Sequence, residues 1–293
     1  MKAILTVDVD TLNDYAYTYS IRHHKYPDLI YEKALPRLLE LLEKYRLRAT
    51  FFVVGRDLEQ KQHIPMVKLI AKRHEIANHS FSHRHDFEKL SAALQEEEIV
   101  KCHEIVKKKL KITMKGFRAP GYNINENSLK ILSKLHYSYD SSIFPTSLLP
   151  ILKLSIMLKS KGRHKSSGGG SIGSMFSKTG PYKDQLYNIL EIPVSVTPLL
   201  RLPVMGTFNV TTGKSLLRLS LALLKKYKRV INYEIHPIEF LELDKDQIPK
   251  EFGVHPGLKI NLRRKNKIYE YLFEHLKDNY TVVTAGEFAH KYK

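Results

Sequence analysis

Short β-branched or apolar runs alternate with helical patterns along nearly the whole chain, and this alternation limits the available folds more than any other feature. Residues 3–9 read as a strand. From Ala34, apolar residues recur at Leu38, Leu41, Leu42 and Tyr45, a helical face whose first turn accommodates Pro36. Further strands are predicted at 49–54, 75–78, 116–119, 137–140, 188–194, 230–235 and 280–284. Helices are predicted at 65–73, from the Ser91 cap to about Leu110, and at 128–135, 214–227 and 262–276. Repeated β-then-α units favour a parallel sheet with helices outside it. About seven such units fit an α/β fold closed, or nearly closed, into a distorted barrel. The expectation is one domain over residues 1–293.

An interruption runs over about 147–183. Its centre, residues 165–171, has the composition of a Gly/Ser linker. Before it, residues 148–159 are very apolar and are followed by Lys161, Arg163 and Lys165. That pattern suits a core helix with a basic end, and it also suits an interfacial helix lying on an anionic bilayer. The glycine tract so close behind tips the reading toward the bilayer. The net charge of +18 agrees, since it predicts attraction to a membrane face, a nucleic acid or a phosphate-bearing substrate. The chain reaches Asp8 too soon for the apolar core of a signal peptide. No stretch approaches the roughly 18 uncharged apolar residues of a membrane span. The expected location is therefore the cytoplasm, with peripheral contact at the inner membrane face. A single cysteine, Cys102, excludes an internal disulfide framework.

Asp8 and Asp10 stand two apart on the first predicted strand, so both carboxylates can converge on one site. His79 and His83 have a spacing that, on a helical turn, puts two imidazoles on one side. With 14 histidines in the chain, a chance pair is an ordinary event. Placement raises its weight: the pair follows the third predicted strand, at the barrel end that would also present the aspartates. Two histidines and one aspartate leave open positions for water and substrate, as catalytic zinc requires.

Three more polar stretches fall at strand ends, around Arg118-Ala119-Pro120-Gly121-Tyr122, Tyr139-Asp140 and Glu234-Ile235-His236. Taken in order with Thr6-Val7-Asp8-Val9-Asp10 and His79-Ser80-x-x-His83, they resemble the polysaccharide deacetylases of NodB type (carbohydrate esterase family four), over residues 6 to about 284. The resemblance implies a distorted (β/α) barrel and metal-dependent hydrolysis of an N-acyl amino sugar. It implies that Asp10, His79 and His83 hold a divalent ion, zinc foremost, with cobalt, nickel, manganese or iron as alternatives. It further implies Asp8 as general base oriented by Arg118, and His236 as general acid with Asp140 setting its charge. The Gly121 N–H would meet the developing oxyanion, and Tyr122 and Phe208 would touch the substrate.

Many relatives have adjacent aspartates where this chain has Asp8-Val9-Asp10, so base and ligand could be exchanged. There is no Trp, and Ile143-Phe144-Pro145 stands where an aromatic wall would be. Charge, the 148–159 segment and the absence of an export signal favour an N-acetyl or N-formyl amino sugar linked to a lipid phosphate. A deacetylase of chitooligosaccharide or peptidoglycan is the alternative. A non-catalytic nucleic-acid-binding protein on the same scaffold is a further one. No specific nucleic-acid partner is expected, because no helix-turn-helix, zinc-finger or RNA-binding signature is present.

Overall fold

Strand β1 (Lys2–Val9) is the hub of the sheet. Its odd-numbered residues Ala3, Leu5, Val7 and Val9 pack against the helices in the main hydrophobic core. Ile4 faces the other way into a smaller cluster, and the two-residue period carries Thr6 and Asp8 to that same inner face. The computed structural model describes residues 1–21, 26–159 and 170–292. After β1 come α1 (Leu12–Thr18) and α2 (Leu35–Tyr45), then β2 (Thr50–Val53), α3 (Ile64–Ala71), β3 (Glu75–Asn78) and α4 (Ala92–Leu110). Next are β4 (Gly116–Phe117), α5 (Glu126–Lys134), β5 (Tyr139–Asp140), α6 (Leu149–Lys159), β6 (Tyr182–Lys183) and β7 (Leu190–Glu191). The chain finishes with α7 (Gly206–Thr212), α8 (Lys214–Lys226), β8 (Ile231–Ile235), α9 (Leu262–Asn279), β9 (Thr281–Val283) and α10 (Ala285–Lys291).

The described strands form one sheet in the order β6-β7-β5-β4-β3-β2-β1-β8, with β9 also paired to β1. All pairings are parallel except β6 with β7. The strands β1 to β5, β7 and β8 curl into the expected barrel. Its seam lies between β7 and β8, where the Ser195 N–H donates to Asn232 O at 3.0 Å and the Asn232 side chain reaches Ile192 O at 2.9 Å. One edge of β1 is shared: Lys2–Ile4 pairs with β9, and Thr6–Val9 with β2.

Inside the barrel, Ile4, Phe52, Ala77, Tyr139, Leu190 and Ile192 pack together, closed below by Ala285 and Phe288 of α10. Gly116 makes room for this packing, since a Cβ there would lie 1.9 Å from the Tyr139 ring. With the lower half filled by hydrocarbon, polar side chains of the inner face can gather only at the upper rim.

Three helices were not foreseen: α1, α7 and α10. Each has seven residues, too short for a 3.6-residue apolar period to repeat. The apolar segment at 148–159 does form a helix, α6, but only Leu149 of it is buried. No helix is long and apolar enough to cross a membrane among the described residues. Of the expected linker centre at 165–171, residues 165–169 lie outside the described residues, as do Lys161 and Arg163.

Candidate active site

At the upper rim the inner faces of five strands or their ends converge. Arg118, just past β4, is fully buried, with its guanidinium 4.4 Å from the Phe52 ring centroid. Its Nη1 donates to Asp8 Oδ1 at 2.6 Å, Nε to Ser141 O at 2.8 Å, and Nη2 to Ser141 Oγ at 2.8 Å and Thr6 Oγ1 at 3.1 Å. Burial alone would raise the Asp8 pKa; Arg118 above all, then His79 and His236, overcome this and hold it below the usual carboxylate value. Asp8 therefore stays ionised, with Oδ2 directed toward His79 Nε2 at 3.8 Å.

Asp10 stands just beyond the end of β1, its N–H bonded to Asp8 O at 3.0 Å. Asp10 Oδ1 lies 3.5 Å from His79 Nε2 and 3.1 Å from His83 Nε2. The two histidines do not share a helical turn, as their spacing predicted. They sit on an irregular loop after β3 in which Ser80 and His83 both have positive φ, 62° and 54°. That loop is pinned by Glu98, which accepts from the Phe81 and Ser82 N–H groups at 3.1 and 2.8 Å.

Two contacts of the imidazoles decide what this cluster can hold. His79 Nδ1 is 2.8 Å from Arg118 O. A carbonyl only accepts, so Nδ1 carries the proton and the Nε2 lone pair faces Asp10. His83 Nδ1 faces Asp14 Oδ1 at 3.5 Å without a hydrogen bond, and the charge of that carboxylate favours the same tautomer. Asp14 is itself fixed by Thr11, through N–H and hydroxyl at 2.8 and 2.7 Å, and by Arg56 at 2.5 Å. Asp10 Oδ1 and His83 Nε2 are buried and make no hydrogen bond of acceptable geometry. Lone pairs of a carboxylate and two imidazoles facing one another out of water repel unless a cation or proton lies among them. The ligand atoms of Asp10, His79 and His83 fall within 4.8 Å of one another, a set that fits a divalent ion taking nitrogen and oxygen donors. Asp8, Glu234 and His236 are equally close. The Arg118 guanidinium, 2.6 Å from Asp8 and 3.8 Å from Glu234, makes that second set hostile to a cation.

His236 follows β8, with Nε2 3.8 Å from Asp10 Oδ2 and 3.4 Å from Glu234 Oε1. Burial would lower its pKa, but Glu234 first, then Asp10, Asp8 and Glu239, raise it to about 9. Burial first, then the charge of Asp8, raises the Glu234 pKa to about 8.

The expectation for Asp140 is overturned. Tyr139 points into the barrel, so its neighbour Asp140 points out, against Glu191, its register partner on β7. Asp140 accepts from Ser142 Oγ at 2.7 Å and N–H at 3.0 Å. Burial, followed by the charge of Asp140, pushes the Glu191 carboxyl well above its usual value. Glu234 occupies the place beside His236 that Asp140 was expected to fill. The signal was in the sequence: the period of two puts Asn232, Glu234 and His236 on the inner face while Tyr233 and Ile235 pack outward. Asp14 was also missed, although Thr11-x-x-Asp14 is a helix-capping pattern.

A cavity of about 380 Å³ opens above these groups. Gly121, Tyr122 and Phe208 line it, as does Phe144 from the segment that replaces the missing Trp. Tyr122 donates its hydroxyl to Glu234 and packs on Phe144 at 5.2 Å between ring centroids. Leu152 and Ile156 of α6, with Met205, form an aliphatic wall.

The site's residues and the barrel meet the motif resemblance on independent ground. Residues 26–139 match the family model described as polysaccharide deacetylase. The match spans His79, His83 and Arg118 and leaves Asp8, Asp10 and His236 outside. A peptidoglycan deacetylase of Helicobacter pylori is 29% identical over 119 residues, 41% of this chain and 40% of that protein. A peptidoglycan-N-acetylglucosamine deacetylase of Bacillus cereus is 32% identical over 126 residues, 40% of this chain and 44% of that protein. The alignments thus cover less than half of these curated relatives. A provisionally assigned polysaccharide deacetylase from Mycobacterium smegmatis has the same fold, with TM-score 0.65 over 99% of this chain and 88% of that one, at 17% identity. Sequence match and fold together support a NodB-like polysaccharide deacetylase barrel.

Proposed function

We propose that this chain is a carbohydrate N-deacylase, removing an acetyl or formyl group from an amino sugar by hydrolysis. The observation that carries this reading is the juxtaposition of Asp10, His79 and His83 with the buried Asp8–Arg118 pair. Asp10, His79 and His83 would hold the divalent ion, zinc by the chemistry of its donors. When bound, such an ion supplies Lewis acidity toward water and the amide carbonyl. Asp8, kept ionised by Arg118, accepts the proton of the attacking water on Oδ2. His236, kept protonated through Glu234, donates from its ring to the departing amine, which is otherwise a poor leaving group. The Gly121 N–H is the candidate donor to the oxyanion.

The aliphatic wall formed by Leu152, Ile156 and Met205 favours a substrate with a hydrocarbon portion, hence an amino sugar linked to a lipid phosphate. The basic charge supports an anionic linkage and peripheral contact with an anionic membrane. The names of the curated relatives favour peptidoglycan as the second reading. Purified protein supplied with soluble N-acetylglucosamine oligomers, and with amino-sugar glycolipids in detergent, separates the two by release of acetate or formate. Asp8→Asn should lower the rate by about 10²- to 10⁴-fold, the usual contribution of a general base. Equal rates for Asp8→Asn and the unaltered protein would remove the hydrolytic assignment.

A further inference from the structure

Helix α6 turns Leu152 and Ile156 toward the cavity and leaves Ile151, Leu154 and Leu158 on the outside, Leu158 at 67% exposure. Two other segments add apolar side chains beside it. Phe176, 82% exposed, ends the short turn Ile172–Phe176 that packs against α6. Leu199, 87% exposed, and Leu200 form the tip of a loop. That loop is tied to the start of α6: the Ser147 N–H donates to Arg201 O at 3.2 Å and its hydroxyl to Leu200 O at 2.6 Å. Arg201 donates onward to Ser177 O at 3.1 Å, joining all three segments into one surface.

Two features give this surface a direction. Leu199 has φ 66°, a left-handed conformation that a leucine adopts only where its surroundings impose it, and its side chain is held out in water. Residues 141–183 contain no Asp or Glu, and neither do residues 192–233. All three segments fall within these acid-free stretches, and Lys153, Lys159, Lys178 and Arg201 accompany the apolar groups. A nucleic acid would offer nothing to the protruding leucines. Aliphatic groups ringed by cations match the hydrocarbon and headgroups of an anionic bilayer.

We propose that α6, the 172–176 turn and the 198–201 loop form a membrane-docking face that seats the cavity mouth on an anionic bilayer. Leu158, Phe176 and Leu199 enter the acyl region, and the neighbouring cations lie at headgroup level. This deepens, and rests on, the lipid-linked reading of the substrate. A chain embedded in the bilayer would reach the site along Leu152 and Ile156 without leaving hydrocarbon.

The chain has no Trp, so single tryptophans can report position. Leu199→Trp, Phe176→Trp and, as a control, Leu69→Trp on α3 are each mixed with vesicles of phosphatidylglycerol and phosphatidylethanolamine carrying brominated acyl chains. The first two should be blue-shifted and quenched, and the third unaffected. Leu199→Glu combined with Leu200→Glu should lower the vesicle-bound fraction at least ten-fold, with circular dichroism unchanged. Sedimentation with vesicles but no quenching at 176 and 199 overturns the docking face and leaves the lipid-linked substrate standing. A dimer in solution that buries Leu199 overturns it likewise. Failure of the unaltered protein to sediment at low and moderate salt removes membrane contact altogether. Loss of deacylase activity on every substrate, with quenching retained, sinks the enzyme reading alone.

Discussion

Arg118 and Asp8 meet at 2.6 Å with both side chains out of water, so each is the other's solvent. Removing the cation strands a buried carboxylate. Arg118→Met should therefore lower stability by about 3–5 kcal/mol in urea unfolding, far beyond a surface substitution. Metal content separates two roles among the acids. Asp10→Ala and His83→Ala should purify without the ion by elemental analysis, whereas Asp8→Asn should retain it. The Glu234 carboxylate favours the protonated form of His236. Glu234→Gln should thus lower the His236 pKa and move the alkaline limb of the pH–rate profile toward neutrality. Asp140→Asn, remote from His236, should leave that limb in place. A shift for Asp140 and none for Glu234 would reverse the correction made above.

Strands explain what could be read in advance. The barrel was legible because its strand and helix periods differ sharply, and Asp10, His79, His83 and His236 were legible because strand ends in such a barrel share one rim. The assignment of Asp140 failed because β5 is only two residues long, too short for alternation to reveal which face is inner. The histidine spacing pointed to a helical turn, whereas the loop's geometry depends on Glu98, a partner from the helix that follows it. Another such dependence gives a pH effect. Before β2, the Ala49 N–H donates to His74 Nδ1 at 3.2 Å, which needs the neutral ring. Burial first, then Arg73, lowers the His74 pKa to about 4. Between pH 6.5 and about 4 the unfolded chain binds a proton that the folded chain does not, so stability is lost as pH falls through that window. The urea midpoint should fall from pH 7 to pH 5 less steeply in His74→Gln than in the unaltered chain.

At the scale of the whole molecule, the barrel is closed from below by its own last helix. Ala285 N–H donates to Thr50 Oγ1 at 2.8 Å, and Gly286 N–H to Glu75 Oε2 at 2.9 Å, so α10 is bonded to the starts of β2 and β3. Phe288 fills the space between them. Phe288→Ala should cost about 3–5 kcal/mol by urea unfolding. Less than 1 kcal/mol would mean that the plug is ornamental.

The shared edge of β1 also sets an order of events at the ribosome. Asp8 and Asp10 leave the exit tunnel well before β8 and β9, which flank their strand, and before His236. Pairings so distant along the chain form late and close slowly. Until β8 and β9 are made, the strand that carries both acids lacks two of its three neighbours. The site is complete only after that closure, and a chain released before His236 would lack the imidazole that faces Asp10 from the end of β8.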